Sequence, residues 1–363
     1  MKKSVCHVHV GMPKTGSTAI QTAFSTNPDP NILYAPFPNE NHSTAFAVCF
    51  ENRPEASRVN RLQDLTREEA LDRRRAVRRR MARQFDKAAE NGTLRDILVS
   101  GERLSNAAKA NEIAHRRFKD FFANWASTFR VYGYVRPMHS LMPSDFQQRI
   151  QSGNGARLDL DWYYPNYRRK FEKLETVYGR DAVSLRHYSR DRLVNGDVVA
   201  DLAAQIGAKL PPSKPIQSNV ALSLEGTAVL FVFAKSLRIA DTSQETATKN
   251  RIVVRFLKQL SGLKMAFCPQ KLAELAERNK ADLDWIESRV GTPLYEDITP
   301  RGVIIRSETE LYDIAQAVAT SGAIENLPPY PGAPAPHVIA EWLRADLAAH
   351  HKAKTESILI PAY

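Results

Sequence analysis

"HVHVGMPKTGSTAIQTAF", residues 7–24, decides how this chain is read. Its first four residues continue a run of β-branched and alternating character from Ser4 to Val10 and read as a strand. Residues 17–25 read as a helix. Between the two stand Gly11, Lys14, Gly16, Ser17 and Thr18. A glycine-bearing turn that joins a strand to a helix N-terminus builds an anion cradle. The glycines let the backbone curl, the amides of residues 14–18 point inward, and the helix end adds partial positive charge. Lys14 would add a full charge, and Ser17 and Thr18 hydroxyl donors. The plain alternative is an ordinary strand-to-helix turn with a solvated lysine.

Spacing separates one anion chemistry from another. A Walker A loop is G-x-x-x-x-G-K-[ST]; Gly11 and Gly16 satisfy its glycines, but Ser17 stands where the lysine belongs. An ATPase built on this loop would lack its main phosphate lysine.

Further strand-like runs follow at 96–100 ("DILVS"), 129–135 ("FRVYGYV") and 182–188 ("AVSLRHY"), with helical patterns at 109–126, 143–152, 163–178 and 198–206. This alternation predicts βαβ units in a parallel sheet. Right-handed crossovers then bring the C-terminal ends of the strands to one edge, where ligands of open α/β sheets bind. The expected fold is α/β, a P-loop-like three-layer core with a central parallel sheet flanked by helices over 1–210, followed by a largely helical region over 211–363. In that second region helical patterns at 223–240, 246–261, 269–289, 308–321 and 336–352 succeed one another without a clear strand, and "PPYPGAPAP" at 328–336 reads as a loop. An insertion at about 50–92 reads as a basic helix ending at Gly92. It carries Arg67, Arg73, Arg74, Arg75, Arg78, Arg79 and Arg80, partly offset by Glu68, Glu69 and Asp72.

At 363 residues and 43% hydrophobic, the chain has material for one or two cores. Cys6, Cys49 and Cys268 are too few and too scattered for a disulfide framework or a CxxC metal site, which suits a reducing compartment. Met1-Lys2-Lys3 imitates the start of a signal peptide, but His7 and His9 interrupt the apolar stretch behind it. The longest apolar run, 226–234, falls well short of the roughly 20 residues a membrane helix needs. A soluble, cytoplasmic protein without a metal is expected. The formal charge of +11 favours acidic partners without choosing among nucleotides, glycans, lipid surfaces and nucleic acid.

"VYGYVRPMHSLMPSDFQQRI", residues 131–150, supplies a second anion site. Arg136 closes a strand and Ser144 stands eight residues on. Pro143 suits the first turn of a helix, so the helix is expected to begin there, with Ser144 beside its free amides and His139 in the preceding loop.

The P-K-x-G-[ST]-T pattern of Pro13, Lys14, Thr15, Gly16, Ser17 and Thr18 resembles the 5′-phosphosulfate loop of sulfotransferases that use PAPS (3′-phosphoadenosine-5′-phosphosulfate). Arg136 and Ser144 resemble that family's 3′-phosphate signature, although a proline directly before the serine departs from its pattern. "LVSGERLS" (98–105), "LRHYSRDRLVNGDVVADLAAQIG" (185–207) and "NVALSLEGTAVL" (219–230) resemble bacterial members, and "NKADLDWIESRVGTPLYED" (279–297) is a weaker echo. The resemblance thus covers residues 5 to about 230. It implies transfer of a sulfuryl group from PAPS to a hydroxyl of a carbohydrate, glycolipid or small alcohol, leaving 3′,5′-ADP and needing no metal. Lys14 would stabilise the leaving phosphate. Glu102 is the first choice of base, its alternative being a brace paired with Arg103 or Arg136, and His42 is the second choice. His7 and His9 are expected to be structural. Two rival readings stay open: a nucleotide kinase or NTPase, and a non-catalytic polyanion-binding protein on a degenerate fold. The basic helix is either a solvated face or a rim that recruits an anionic glycan or glycolipid, with peripheral membrane contact as a further use. No nucleic-acid recognition motif accompanies it.

Overall fold

The computed structural model describes residues 4–151, 156–210, 222–236, 253–254, 257–258, 260–294 and 302–321. They fall into two compact units. The first comprises 4–138, 165–210 and 279–294, and the second the remaining described residues. The boundary expected at 210 lies near one passage between units. The segments 139–164 and 279–296 make further passages that composition did not mark.

The first unit is built on a parallel sheet of five strands: β1 (Ser4–His9), β2 (Ile32–Tyr34), β3 (Asp96–Ser100), β4 (Ala126–Val135) and β5 (Val183–His187), in the order β2-β3-β1-β4-β5. The expected three-layer α/β core is therefore observed. Strand β1 lies at its centre, with His9 level with Ser100 of β3 on one side and Tyr132 of β4 on the other. A central parallel strand is covered on both faces, which is why Cys6, Val8 and His9 are fully buried. Strand β2 was not expected. It has three residues, pairs only with β3 and is too short for a periodic signal.

Helix α1 (Ser17–Thr26) joins β1 to β2. Its Ile20 and Phe24 pack with Val198, Leu202 and Ile206 of a later helix against Leu98, Tyr132 and Tyr134 of the sheet. The helices of the other layer are α2 (Ser43–Phe50), the short α3 (Arg58–Arg61), α4 (Arg67–Glu90) and α5 (Glu112–Phe122). An aromatic cluster of Phe46, Phe50, Phe85, Phe118, Phe122 and Trp125 joins α2, α4 and α5. Burial of each such ring stabilises by about 2–3 kcal/mol.

Helix α4 is the predicted basic helix. It opens on a capping box between Thr66 and Glu69, and buries Ala70, Met81 and Phe85. Two of its arginines are structural. Arg74 donates to the carbonyls of Val48, at 3.0 Å, and Glu51 at the C-terminal end of α2. Arg78 lies over the rings of Phe50 and Phe121, at 5.8 and 5.1 Å.

Helix α6 (Met138–Gln151) starts five residues earlier than expected and holds Pro143 in its interior. The proline that precedes its first turn is Pro137, so His139 is helical rather than in a loop. Pro143 costs the helix one backbone bond. The short α7 (Leu160–Tyr163) and then α8 (Tyr167–Tyr178) follow, and α9 (Val198–Ile206) succeeds β5. In the second unit α10 (Leu224–Ser236) is almost wholly buried over Ala228–Phe233. That unit does contain strands, contrary to expectation: β6 (Met265–Phe267) and β7 (Val303–Ile305) pair in parallel, and at three residues each they give no periodic signal.

The helix expected over 269–289 is two, α11 (Pro269–Arg278) and α12 (Lys280–Val290), parted at Asn279. Helix α12 belongs to the first unit, where the Asp282 carboxylate accepts from the amides of Tyr167 and Arg168 at 2.9 and 2.8 Å and so caps α8. The chain ends on α13 (Glu308–Ser321) as far as it is described. The pattern at 336–352, the loop at 328–336 and most of the pattern at 246–261 lie outside the described residues. Among the described residues no helix is long and apolar enough to cross a membrane.

Candidate functional site

Three adjacent strands of the sheet, β3, β1 and β4, end side by side, about 4.8 Å apart. Each end carries one of the predicted groups: Glu102 after β3, the Gly11–Thr18 loop after β1, and Arg136 after β4. The convergence is a consequence of strand order, because β1 passes outward to β2 and β3 crosses over it to β4.

The loop leaves β1 still bonded to its neighbour. Val10 N donates to Tyr132 O at 2.9 Å, Tyr134 N to Gly11 O at 2.8 Å and Met12 N to Tyr134 O at 3.1 Å. It then turns back on itself through three left-handed residues, Gly11 (φ 82°), Lys14 (φ 66°) and Gly16 (φ 77°). Lys14 adopts this conformation without a glycine's freedom, at a cost of about 1–2 kcal/mol, which the surrounding bonds must offset. The buried Thr15 hydroxyl donates to Met12 O at 2.6 Å and ties the turn shut. Gly16 caps α1 with its carbonyl, accepting from Ala19 N and Ile20 N, and no side chain caps that end. The first amides of α1 consequently stand at an uncapped N-terminus. Ser17 Oγ is buried and has no hydrogen bond of good geometry within the protein. Three left-handed residues, an uncapped helix N-terminus and the buried Ser17 hydroxyl make a donor set that fits a phosphate or sulfate.

Glu102 opens a turn of 3₁₀ helix, Glu102–Ser105, directly behind β3. Gly11 is pressed against it. A Cβ at position 11 would lie 3.3 Å from both Cα and Cγ of Glu102. The carboxyl is mostly buried, and burial raises its pKa above the usual carboxylate range. The Ser17 hydroxyl and then the Lys14 ammonium pull it partly back. Arg103 does not pair with Glu102. It turns away to Glu51, with Nε and Nη2 donating to the two carboxylate oxygens at 2.5 and 2.7 Å.

Arg136 reaches back across the loop, and its Nη1 donates to Lys14 O at 3.0 Å. Its backbone is fixed by Tyr167, whose hydroxyl donates to Arg136 O at 2.8 Å. Lys14, Ser17, Glu102 and Arg136 are thus gathered around one loop. Pro13 is half-buried and Thr18 exposed at its rim. Ser144 belongs to the second unit, half-buried on α6.

His42 is fully buried just before α2. Its Nδ1 accepts from Ser100 N at 3.0 Å and its own amide donates to Ser100 O at 3.0 Å. The Tyr34 and Phe37 rings cover it at 4.4 and 4.5 Å. With Nδ1 taken by an amide, the proton resides on Nε2, and burial lowers the pKa to about 3. His42 in this geometry splices β3 to α2 and has no lone pair to offer as a base. His9 is likewise structural, with Nδ1 2.8 Å from Ser100 Oγ, and His7 Nδ1 lies 3.0 Å from Tyr132 Oη.

Two contacts of the loop were not anticipated from sequence. A Cβ at Gly16 would stand 2.7 Å from Val198 Cγ1 and 3.4 Å from Tyr188 Oη. Val198 and Tyr188 lie in the stretch 185–207, whose resemblance to known sequences was visible although its contact with the loop was not.

No family model and no curated protein matches the chain. It is similar to three solved structures. They are a sulfotransferase from Alicyclobacillus acidocaldarius (12% identity, TM-score 0.38, 79% of this chain and 95% of that one), the sulfotransferase domain from the curacin biosynthetic pathway (11%, 0.37, 81% and 100%), and the sulfotransferase domain of the Synechococcus PCC 7002 olefin synthase (12%, 0.33, 77% and 96%). The chemistry of the site rests on the residues above and not on these likenesses.

Proposed function

We propose that this protein is a PAPS-dependent sulfotransferase acting on a hydroxyl-bearing acceptor. The observation that carries the reading is the meeting of the P-K-x-G-S-T loop, Glu102 and Arg136 at the ends of three neighbouring strands, with Arg136 Nη1 3.0 Å from Lys14 O. When bound, PAPS supplies the activated sulfuryl group. The amides at the start of α1, the Ser17 hydroxyl and the Lys14 ammonium would hold its 5′-phosphosulfate, and Arg136 its 3′-phosphate.

Within that arrangement Glu102 is the base. Its raised pKa brings the carboxylate nearer the range in which a base is both ionised and able to take a proton. It would accept the acceptor hydroxyl's proton, while Lys14 stabilises charge growing on the leaving phosphate oxygen. A carbohydrate, glycolipid or small alcohol serves equally well as acceptor in this chemistry. The exposed arginines of α4, Arg75, Arg79, Arg80 and Arg83, would favour an anionic one.

The test is thermal unfolding in EDTA with 3′,5′-ADP, with ATP and with neither. A site filled at 100 times its dissociation constant stabilises by about 2.7 kcal/mol. Stabilisation by 3′,5′-ADP, lost in Lys14→Ala and in Arg136→Ala, is the expected result, and Ser144→Ala in the same titration decides whether that serine contributes. A response to ATP with magnesium and none to 3′,5′-ADP would favour the kinase reading instead.

A further inference from the structure

The turn that carries Glu102 is short, and little of what holds it belongs to it. Along residues 100–106 the backbone is gripped from five directions. Ser100 N donates to His42 Nδ1 at 3.0 Å, and Gly101 N to His9 O at 3.0 Å. Arg103 forms its two-pronged pair with Glu51, while its amide donates to Ser43 Oγ at 3.2 Å. Leu104 O accepts from His115 Nε2 of α5 at 2.8 Å, and Asn106 O from Lys173 Nζ of α8 at 2.5 Å. Inside the turn, Ser105 Oγ donates to Glu102 O at 3.0 Å.

Lys173 is the costly member of this set. Its neighbours Phe171, Leu174, Val177 and Tyr178 bury the apolar face of α8, yet the lysine is only 8% exposed and its ammonium donates to an uncharged carbonyl. Burying an ammonium costs several kcal/mol unless its protons are well used. A solvated lysine one position away on the helix would avoid that cost. We infer that Lys173 is a positioning residue for Glu102: with the Arg103–Glu51 pair it clamps the 3₁₀ turn so that the Glu102 side chain is held against Gly11 at the edge of the loop. The inference rests on the reading of Glu102 as the site's base.

The clamp has an outer brace. The carbonyls that close α2, next to Glu51, accept from Arg74 of α4 and Arg117 of α5, and Arg117 also reaches Asn52 Oδ1 at 3.0 Å. Glu51 is 4% exposed, its backbone carbonyl held by Arg74 and Arg117 and its carboxylate by Arg103. Consistent with this, burial, and then the like charges of Lys170 and Arg169, push the Lys173 pKa down to about 7, with Glu51 opposing.

The experiment uses the full chain labelled with carbon-13 at glutamate carboxyls, the Glu102 resonance being assigned by its loss in Glu102→Gln. Its titration is followed in wild type, in Lys173→Met and in the paired variant Glu51→Met with Arg103→Met. 3′,5′-ADP affinity is measured on each protein. Losing a nearby positive charge would by itself raise the Glu102 pKa, whereas a loosened turn lets water reach the carboxyl and lowers it, so direction separates the two causes. The expected result for Lys173→Met is a downward shift of about half a unit or more toward the ordinary value near 4.3, with 3′,5′-ADP affinity held within about twofold. The paired variant, which removes no net charge, should shift the same way and carries the test if Lys173→Met does not fold. An unchanged or raised midpoint overturns the inference, and so does a loss of 3′,5′-ADP affinity as large as that in Lys14→Ala, since the lysine would then be supporting the whole edge. A downward shift in a protein that does not bind 3′,5′-ADP at all leaves the clamp standing and removes the sulfotransferase reading.

Discussion

Replacing Gly16 with alanine tests the loop at its tightest point. The residue holds φ 77° and ψ 17°, a left-handed conformation that costs an alanine about 1 kcal/mol or somewhat more. The added methyl would lie 2.7 Å from Val198 Cγ1, closer than real Cβ atoms come to any neighbour. Val198 cannot retreat easily, being packed with Ile20, Leu202 and Tyr134 in the layer beneath the sheet. Overpacking of this kind costs about 1–3 kcal/mol, so Gly16→Ala should destabilise by about 2–4 kcal/mol in total. Urea unfolding reads it as a lower midpoint at unchanged slope. Val198→Ala removes the obstructing methyl and is destabilising alone, but in the double variant about 1–2 kcal/mol of the Gly16→Ala penalty should be recovered. The backbone share should remain. A cost below about 0.5 kcal/mol for Gly16→Ala, or strict additivity in the cycle, would show that the loop is not held left-handed against α9.

Four further outcomes are expected. Glu102→Gln should lower turnover by about 10²- to 10⁴-fold, the usual contribution of one positioned base, with 3′,5′-ADP binding retained. The same substitution should also stabilise the fold at pH 7 but not at pH 4: a carboxyl whose folded pKa is raised contributes stability only below its ordinary pKa and loses it as pH rises through the raised value, which urea midpoints at the two pH values would check. Acid should weaken the fold early, because burial holds His9, His42 and His115 neutral to a pKa of about 3 while the unfolded chain protonates them below about 6.5; each should cost about 2 kcal/mol by pH 5, seen as a falling Tm between pH 7 and 5. Asp201→Ala should cost about 3–5 kcal/mol in chemical denaturation, since the fully buried carboxylate accepts from Tyr134 Oη at 2.8 Å, Arg186 Nη1 at 2.9 Å and Gln205 Nε2 at 2.9 Å, and its removal takes the acceptor from the buried Tyr134 hydroxyl and leaves Gln205 Nε2 only its 3.1 Å bond to Tyr134 Oη.

Local pattern carried a good deal. The loop at 11–18, the strands at 96–100, 129–135 and 183–187 and the bounds of α1, α9 and α13 follow from short-range periodicity and turn chemistry, which the backbone obeys wherever tertiary contacts do not oppose it. So does the basic helix, whose capping box and glycine stop are written within a few residues of its ends. Elements of three residues escaped, because β2, β6 and β7 are strands only through the partner that lends them hydrogen bonds. Pro143 misled for a related reason. Local propensity puts a proline at a helix start, but Pro137 already fills that place and packing carries the helix past the second one.

The site divides along the same line. Which side chains could hold an anion, Lys14, Ser17 and Arg136 among them, was decided by residue type and spacing in the sequence, since donors and charges belong to the residues themselves. Which of them meet was decided by strand order alone. Only after β1 inserts between β3 and β4 does Glu102 come to rest on Gly11 and Arg136 on the carbonyl of Lys14, across 91 and 122 residues of chain, and only then does burial shift the carboxyl's pKa and turn His42 from a candidate base into a splice. Desolvation and contact are properties of neighbours far apart in the chain, and a linear pattern does not carry them.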